Sequence, residues 1–239
     1  MVILMNSSTP QKPYTLAIDI GGSGIKMLVL DATGNPVTEK TRLKTPQPAL
    51  PEAVIATIKD QLNEHGTFDR ISIGFPGVVI DGVTMGAVNL HKDWQKFDLA
   101  TAISDLTSVP VRVANDADIQ GYGVINGQGV ELVVTLGTGF GSALFSEGVL
   151  VPNVELGHHP FEKKMTYEDL LGQVARKSQG NKEWSKTLLR AIEQLDELFN
   201  PTTIYLGGGN SSKIKVELPD HVQITKNIAG ILGGIKLWG

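Results

Sequence analysis

At 239 residues, with 41% hydrophobic and 19% charged side chains, the chain can bury a sizeable core and has the balance of an ordinary folded protein. A net charge of −4 supplies no general basic field, which argues against a dedicated nucleic-acid binder, and zero cysteines exclude disulfides and thiolate metal sites. The opening MVILM is too short for a secretion signal and no apolar run approaches the ~18 residues of a membrane span. A cytoplasmic protein with no membrane partner is expected, residues 1–13 forming a flexible tail.

YTLAIDI, from Tyr14, reads as a buried strand running into the glycine turn Gly21-Gly22-Ser23-Gly24. IKMLVLD is a second strand, ATGNP a turn, and VTEKTRL, residues 37–43, a third strand. LPEAVIATIKDQLNEHG predicts a helix: Pro51 and Glu52 suit its first turn, Val54, Ile55, Ile58 and Leu62 make an apolar stripe, and Gly66 ends it. ISIGFPGVVIDGVTM is a strand, a Pro-Gly break and a hairpin on Asp81-Gly82. FDLATAISDLTS is a short helix capped by Asp98, and VRVAND the next strand.

From Glu131 the pattern begins again: ELVVTL as a strand, GTGFGS as a glycine turn, ALF as a strand and SEGVLVP as a hairpin. Thr166 caps the predicted helix YEDLLGQVARK, and KEWSKTLLRAIEQLDELF is a long helix ending at Asn200-Pro201. Its stripe Trp184, Leu188, Ile192, Leu195 and Phe199 is core or dimer interface. TIYLGGGNS is a strand entering a third glycine turn, and IAGILGGIKLW a terminal helix weakened by its glycines. Two α/β halves emerge, an internal duplication with its boundary near Ala114 to Gly129.

The first turn fits neither familiar phosphate loop. Met27 stands where a P-loop needs Ser or Thr, and a dinucleotide fingerprint would need glycine at position 27 and a helix to follow. Here a strand follows. A glycine hairpin still presents backbone N–H groups to an anion, and Asp19 beside it is placed to hold Mg²⁺ through water. A plain tight turn is the alternative, weakened because TLGTGFGS repeats the arrangement and two such hairpins could clamp a phosphate chain. NDAD likewise reads as a helix cap or a catalytic carboxylate, and ELGHH as a surface turn or a binding element.

DIGGSGIK, FPGVV, NDAD, TLGTGFGSALF, GVLVPNVELGHH and YLGGGNS, in order from about Tyr14 to Leu237, resemble the polyphosphate glucokinases of the ROK (repressor–ORF–kinase) family, within the sugar kinase and actin superfamily. The resemblance implies an α/β chain of two ribonuclease-H-like (actin-like ATPase) domains with an interdomain active-site cleft. Their expected spans are 14–115 and 116–225, with a C-terminal helix at about 226–239 returning to the first. It implies Asp116 as general base, a sugar site of Gly77, Asn89, Asn115, Asp116, Glu155, His158 and Glu168, and phosphate contacts from Gly21, Gly22, Ser23, Gly24, Lys26, Gly137, Thr138, Gly139 and Gly141. Gly207, Gly208 and Gly209 sit where relatives contact adenosine.

The implied reaction moves the terminal phosphoryl of inorganic polyphosphate, with ATP or another ROK hexose kinase activity as the alternative, to the 6-hydroxyl of glucose with Mg²⁺. A non-catalytic sugar-binding regulator is the reading from another class, opposed by Asp116 and both turns. Without cysteine the zinc motif of many ROK kinases is not expected, and His91 stands where an aspartate is expected from the polyphosphate glucokinases. His65, His91 and His159 read as surface or packing residues. Lys26, Lys92 and Lys96 are candidates for a basic track, or a solvated face. A homodimer is expected from the resemblance.

Overall fold

The computed structural model describes residues 10–87, 89–225 and 232–239. The first half contributes β1 (Thr15–Ile20), β2 (Ile25–Leu30), β3 (Thr41–Leu43), α1 (Pro51–Gln61) and β4 (Arg70–Phe75). It continues with β5 (Val79–Ile80), β6 (Val83–Met85), β7 (Gln95–Asp98), α2 (Leu99–Thr107) and β8 (Val111–Asn115). α3 (Asp116–Tyr122) leads to β9 (Val130–Leu136), β10 (Phe140–Ser146), β11 (Val149–Val151), β12 (Pro160–Glu162) and β13 (Met165–Thr166). Then come α4 (Tyr167–Leu171), α5 (Gln173–Gln179), α6 (Asn181–Phe199), β14 (Thr203–Gly207) and β15 (Val222–Ile224).

The duplication is visible in the strand order. One sheet runs β3-β2-β1-β4-β8 and the other β11-β10-β9-β14-β15, each with an antiparallel hairpin pair followed by parallel neighbours. The central strands are buried almost throughout because both faces are covered. Leu16, Ile18 and Ile20 face Val54 and Ile58 of α1 together with Trp94, Leu99 and Ile103. The opposite face, Ala17, Leu28 and Leu30, takes Ile235. In the second half Leu132, Val134 and Leu136 pack on Trp184, Leu188, Ile192 and Leu195 of α6, so that stripe is core. Its other face, with Phe145 and Tyr205, meets Tyr122 of α3.

Several predicted elements change at their ends. The third strand is confined to 41–43: the Val37 N–H still bonds the Val29 carbonyl, but the Thr38 hydroxyl, not a backbone carbonyl, accepts from the Val29 N–H, and the ladder is interrupted until Thr41. The helix predicted from Tyr167 breaks at Gly172, whose extended backbone frees the Gln173 N–H to bond the Thr138 carbonyl at 3.0 Å. The hairpin Asp81-Gly82 (φ 50° and 82°), the Asp98 cap and the Thr166 cap, which forms a capping box with Asp169, stand as predicted. Of the expected tail, residues 1–9 lie outside the described residues, while Gln11 accepts from Ala32 N–H and Lys12 pairs with Asp69.

Residues 226–231 of the expected terminal helix also lie outside the described residues, and 232–238 form a 3-10 helix instead. It returns to the first sheet: Ser72 Oγ donates to the Gly234 carbonyl at 2.6 Å and accepts from Trp238 Nε1 at 2.8 Å. The guanidinium groups of Arg70 and Arg112 lie over the Trp238 ring. Among the described residues no helix is long and apolar enough to cross a membrane.

Candidate active site

A cavity of about 810 Å³ is walled by residues of both halves. The parallel strands β4 and β8 end there, as does the hairpin turn between β1 and β2. Facing them is the turn between β9 and β10, and the 3-10 turn carrying His158 completes the wall. The cavity therefore sits outside the carboxyl ends of the parallel strands, where α/β sheets commonly place ligands.

Both glycine turns close on a backbone hydrogen bond, across four residues in the first and three in the second. In the first, the Gly21 N–H bonds the Gly24 carbonyl at 3.0 Å, and the Gly21 carbonyl accepts from Thr45 Oγ1. In the second, the Gly137 N–H bonds the Gly139 carbonyl at 3.1 Å, and the Gly137 carbonyl accepts from Asn210 Nδ2 at 2.8 Å. The N–H groups of Gly22 and Ser23, and of Thr138 and Gly139, have no internal partner among the described residues. Unpaired donors at a cavity mouth suit an anion.

Asn115 is the helix cap of NDAD and also joins the cavity wall. Its Oδ1 caps α3 by accepting from Ala117 N–H at 2.7 Å, while its Nδ2 donates to Glu155 Oε1 at 2.8 Å and to the Gly77 carbonyl at 3.3 Å. Asp116 follows on the first turn of α3, half-buried on the cavity wall. Its carboxyl is pushed up to about 7, first by burial, then by the charge of Asp19, with smaller contributions from Glu155 and Asp118 against the Ala117 N–H. Burial also raises Glu155, opposed by His158 at 3.9 Å and reinforced by Glu168. Glu168 Oε2 accepts from the Phe140 N–H at 3.2 Å and lies against Gly139, so one carboxylate touches both the proposed sugar wall and the second turn.

All seven predicted sugar residues line the cavity, as do Gly21, Gly22, Gly137, Thr138, Gly139 and Gly141. Asp19, Ser23, Gly24 and Lys26 do not; the Lys26 ammonium sits 2.6 Å from Asp19 Oδ2. Lys92 is on the wall and Lys96 is off it. Gly207, Gly208 and Gly209 are off the wall as well. Gly208 (φ 81°) packs on the Leu136 backbone, and Asn210 beyond it holds the second turn, so this third turn buttresses the second. His65 is buried between Thr38 and Thr41, a packing residue as expected.

Three residues without an assigned role in the sequence reading belong to this architecture. Asp118 is buried, with Oδ1 unpaired and Oδ2 accepting from Asn153 N–H, and burial pushes its carboxyl up to about 7. The Asn153 side chain clasps both the N–H and carbonyl of Val79, joining the loop after β11 to β5. Arg176 orients Asn210 by donating to its Oδ1 at 3.0 Å.

Among the described residues no cluster of three ligating side chains could form an all-protein metal cage. Asp19 gives one oxygen to Lys26, and its other oxygen has no hydrogen-bond partner among the described residues. A single carboxylate beside open backbone donors fits Mg²⁺ carried largely by substrate phosphates and water.

The ROK family model matches residues 15–169. The polyphosphate glucokinase of Mycobacterium tuberculosis is 34% identical over 236 residues, covering 92% of this chain and 89% of that one. The crystal structure of the inorganic polyphosphate/ATP-glucomannokinase from Arthrobacter sp. strain KM matches with a TM-score of 0.83 at 33% identity, over 95% of this chain and 100% of that one. A ROK family glucokinase from Streptomyces griseus, solved with glucose and AMPPNP, shares the fold at a TM-score of 0.74 and 20% identity, over 94% and 98% of the two chains. The fold is thus the α/β fold of the ROK sugar kinases, in the actin-like ATPase class. The chain belongs to the ROK family.

Proposed function

We propose that this chain is a glucokinase that transfers the terminal phosphoryl group of inorganic polyphosphate to the 6-hydroxyl of glucose. The observation that carries the reading is Asp116: a carboxyl pushed up to about 7, on a cavity wall shared with both glycine turns and the Asn115–Glu155 pair. A base with its pKa near the working pH combines proton affinity with sufficient ionised form. The two halves act as two ribonuclease-H-like domains, 14–115 and 116–225, with substrate in the cleft between them.

Asn115, Glu155, His158 and Glu168 orient the sugar hydroxyls, with Gly77 and Asn89 shaping the pocket. Gly77 admits no side chain, because the Gly86 carbonyl occupies that space. Asp116 takes the proton of the 6-hydroxyl as that oxygen attacks the terminal phosphorus, the bridging P–O bond breaks, and a chain one unit shorter leaves. The free N–H groups of the two turns hold the phosphoryl oxygens. Asp19 would hold Mg²⁺ through water, and that ion supplies charge neutralisation at the phosphates.

The names of two relatives support the donor: polyphosphate glucokinase in one and polyphosphate/ATP-glucomannokinase in the other. The second name also favours ATP as a further donor. Initial rates with glucose, using polyphosphate and ATP at matched Mg²⁺, test the order; faster turnover with ATP overturns it. A homodimer is proposed alongside, and sedimentation of a monomer at micromolar concentration would remove that part.

A further inference from the structure

The strand register lays out one lateral line across the first sheet. Arg42 pairs with Lys26, Lys26 with Asp19, Asp19 with Gly74, and Gly74 with Ala114. Directly opposed residues on neighbouring strands point to the same face. Gly74 has no side chain, and Asp116 stands over the gap: a Cβ on Gly74 would lie 3.6 Å from the Asp116 Cα. Along this line the order is therefore proposed base, Asp19, Lys26 and Arg42. At about 4.8 Å between strands, the line runs roughly 14 Å from β4 to β3.

Arg42 is the unexplained member. It is exposed, and among the described residues it has neither an ion-pair nor a hydrogen-bond partner. Its guanidinium nonetheless lies on the phosphate turn, since a Cβ on Gly24 would meet Nε at 3.2 Å and Nη2 at 3.7 Å. A cation fork held against a glycine turn, with five donors unspent, suits phosphate oxygens. At the second turn the charge in contact is the carboxylate of Glu168, and Arg176 nearby is spent on Asn210 and Asn181. Lys26 and Arg42 make a cationic line leading away from the first turn across β2 and β3, with Lys92 on the cavity wall besides.

We propose that Arg42, continuing from Lys26, is an anion-binding station for the phosphate units behind the one transferred, so that a linear polyphosphate leaves the cavity over the first glycine turn. This rests on the donor reading above. It gives the chain a direction: sugar at Asp116, terminal phosphoryl at Asp19, and the tail outward along Lys26 and Arg42. On a protein of net charge −4, such a polyanion needs a local run of cations of this kind.

The test compares wild type, Arg42→Ala and Arg42→Lys with long-chain polyphosphate and with ATP, at fixed Mg²⁺ and several salt concentrations. For Arg42→Ala the ratio of KM for polyphosphate to KM for ATP rises about three- to tenfold, as expected for one charge-assisted contact in partial solvent. Its polyphosphate KM also becomes less salt-dependent, and Arg42→Lys recovers most of the ratio. An unchanged ratio in Arg42→Ala, with wild type using polyphosphate normally, overturns the station and leaves the donor reading standing. Equal losses with both donors overturn it too, by placing Arg42 at the transferred phosphate. A wild type that turns over ATP but not polyphosphate fails at the donor reading itself and takes the station with it.

Discussion

The two glycine turns share a pattern of backbone bonds and differ in length and in what surrounds them. Each closes with an N–H to carbonyl bond inside the turn, each has its first carbonyl pinned by a side chain, and each has two N–H groups without a partner among the described residues. The first is flanked by Asp19, Lys26 and Arg42, the second by Glu168 and the amide of Asn210. Duplication preserved the part that binds an anion through backbone, which tolerates any flanking sequence with glycine in place. The flanks differ in charge: the first turn adjoins the carboxylate proposed to hold Mg²⁺ and two cations, the second is tied to a carboxylate on the proposed sugar wall.

The largest expected effect comes from what the two turns share. Asp116→Asn should lower kcat by about 10²- to 10⁴-fold with glucose binding, read by calorimetry, largely kept. Near-normal turnover would show that neither turn works on a base at this position. In the wild type, kcat/KM should fall as pH drops below about 7, because Asp116 must be ionised to accept the proton.

Substitution within each turn should separate the roles. A Cβ on Gly139 runs into the Glu168 carboxylate, the movable end of a side chain, so Gly139→Ala should fold and displace Glu168. Its loss should fall on the glucose KM, about tenfold or more. A Cβ on Gly22 meets Asn89 Cβ at 3.0 Å and the Asn89 carbonyl at 3.1 Å, which shifts the first turn by a few tenths of an ångström. Gly22→Ala should therefore raise the donor KM more than the glucose KM. If both variants change the same constant, the division of labour between the turns is wrong.

What was legible in the sequence follows from how local each signal is. Asp81-Gly82, Asp98 and Thr166 act on neighbours a few residues away, so their hairpin and caps could be read directly. The residues of the cavity wall were named because motifs from separate stretches matched one family, not because spacing alone joins Asn115 to Glu155. Arg42 was missed because its meaning depends on a register with Lys26 that only the folded ladder creates. The break at Gly172 depends on the Thr138 carbonyl, 34 positions earlier, needing the Gln173 N–H. That the third glycine turn supports the second was not legible, because it depends on Asn210 reaching the Gly137 carbonyl, 73 positions earlier.

The smallest expected effect probes α3, which lies between the two turns' sheets. Asp118 is buried there with its carboxyl pushed up to about 7, from 3.8, chiefly by burial. Its folded form holds the proton more tightly than its unfolded form, so its contribution to stability is full below about 4, declines as pH rises, and is gone above about 7. Asp118→Asn keeps an oxygen for the Asn153 N–H and removes the charge. At pH 8 the variant should melt several degrees higher than wild type, an amount on the scale of ~1–2 kcal/mol in a chain this long. Near pH 4 the difference should vanish or reverse slightly, because the wild-type side chain is then neutral and the new amide finds no partner at the unpaired Oδ1 position. Melting temperatures that differ by the same amount at both pH values would show that Asp118 does not carry a buried charge.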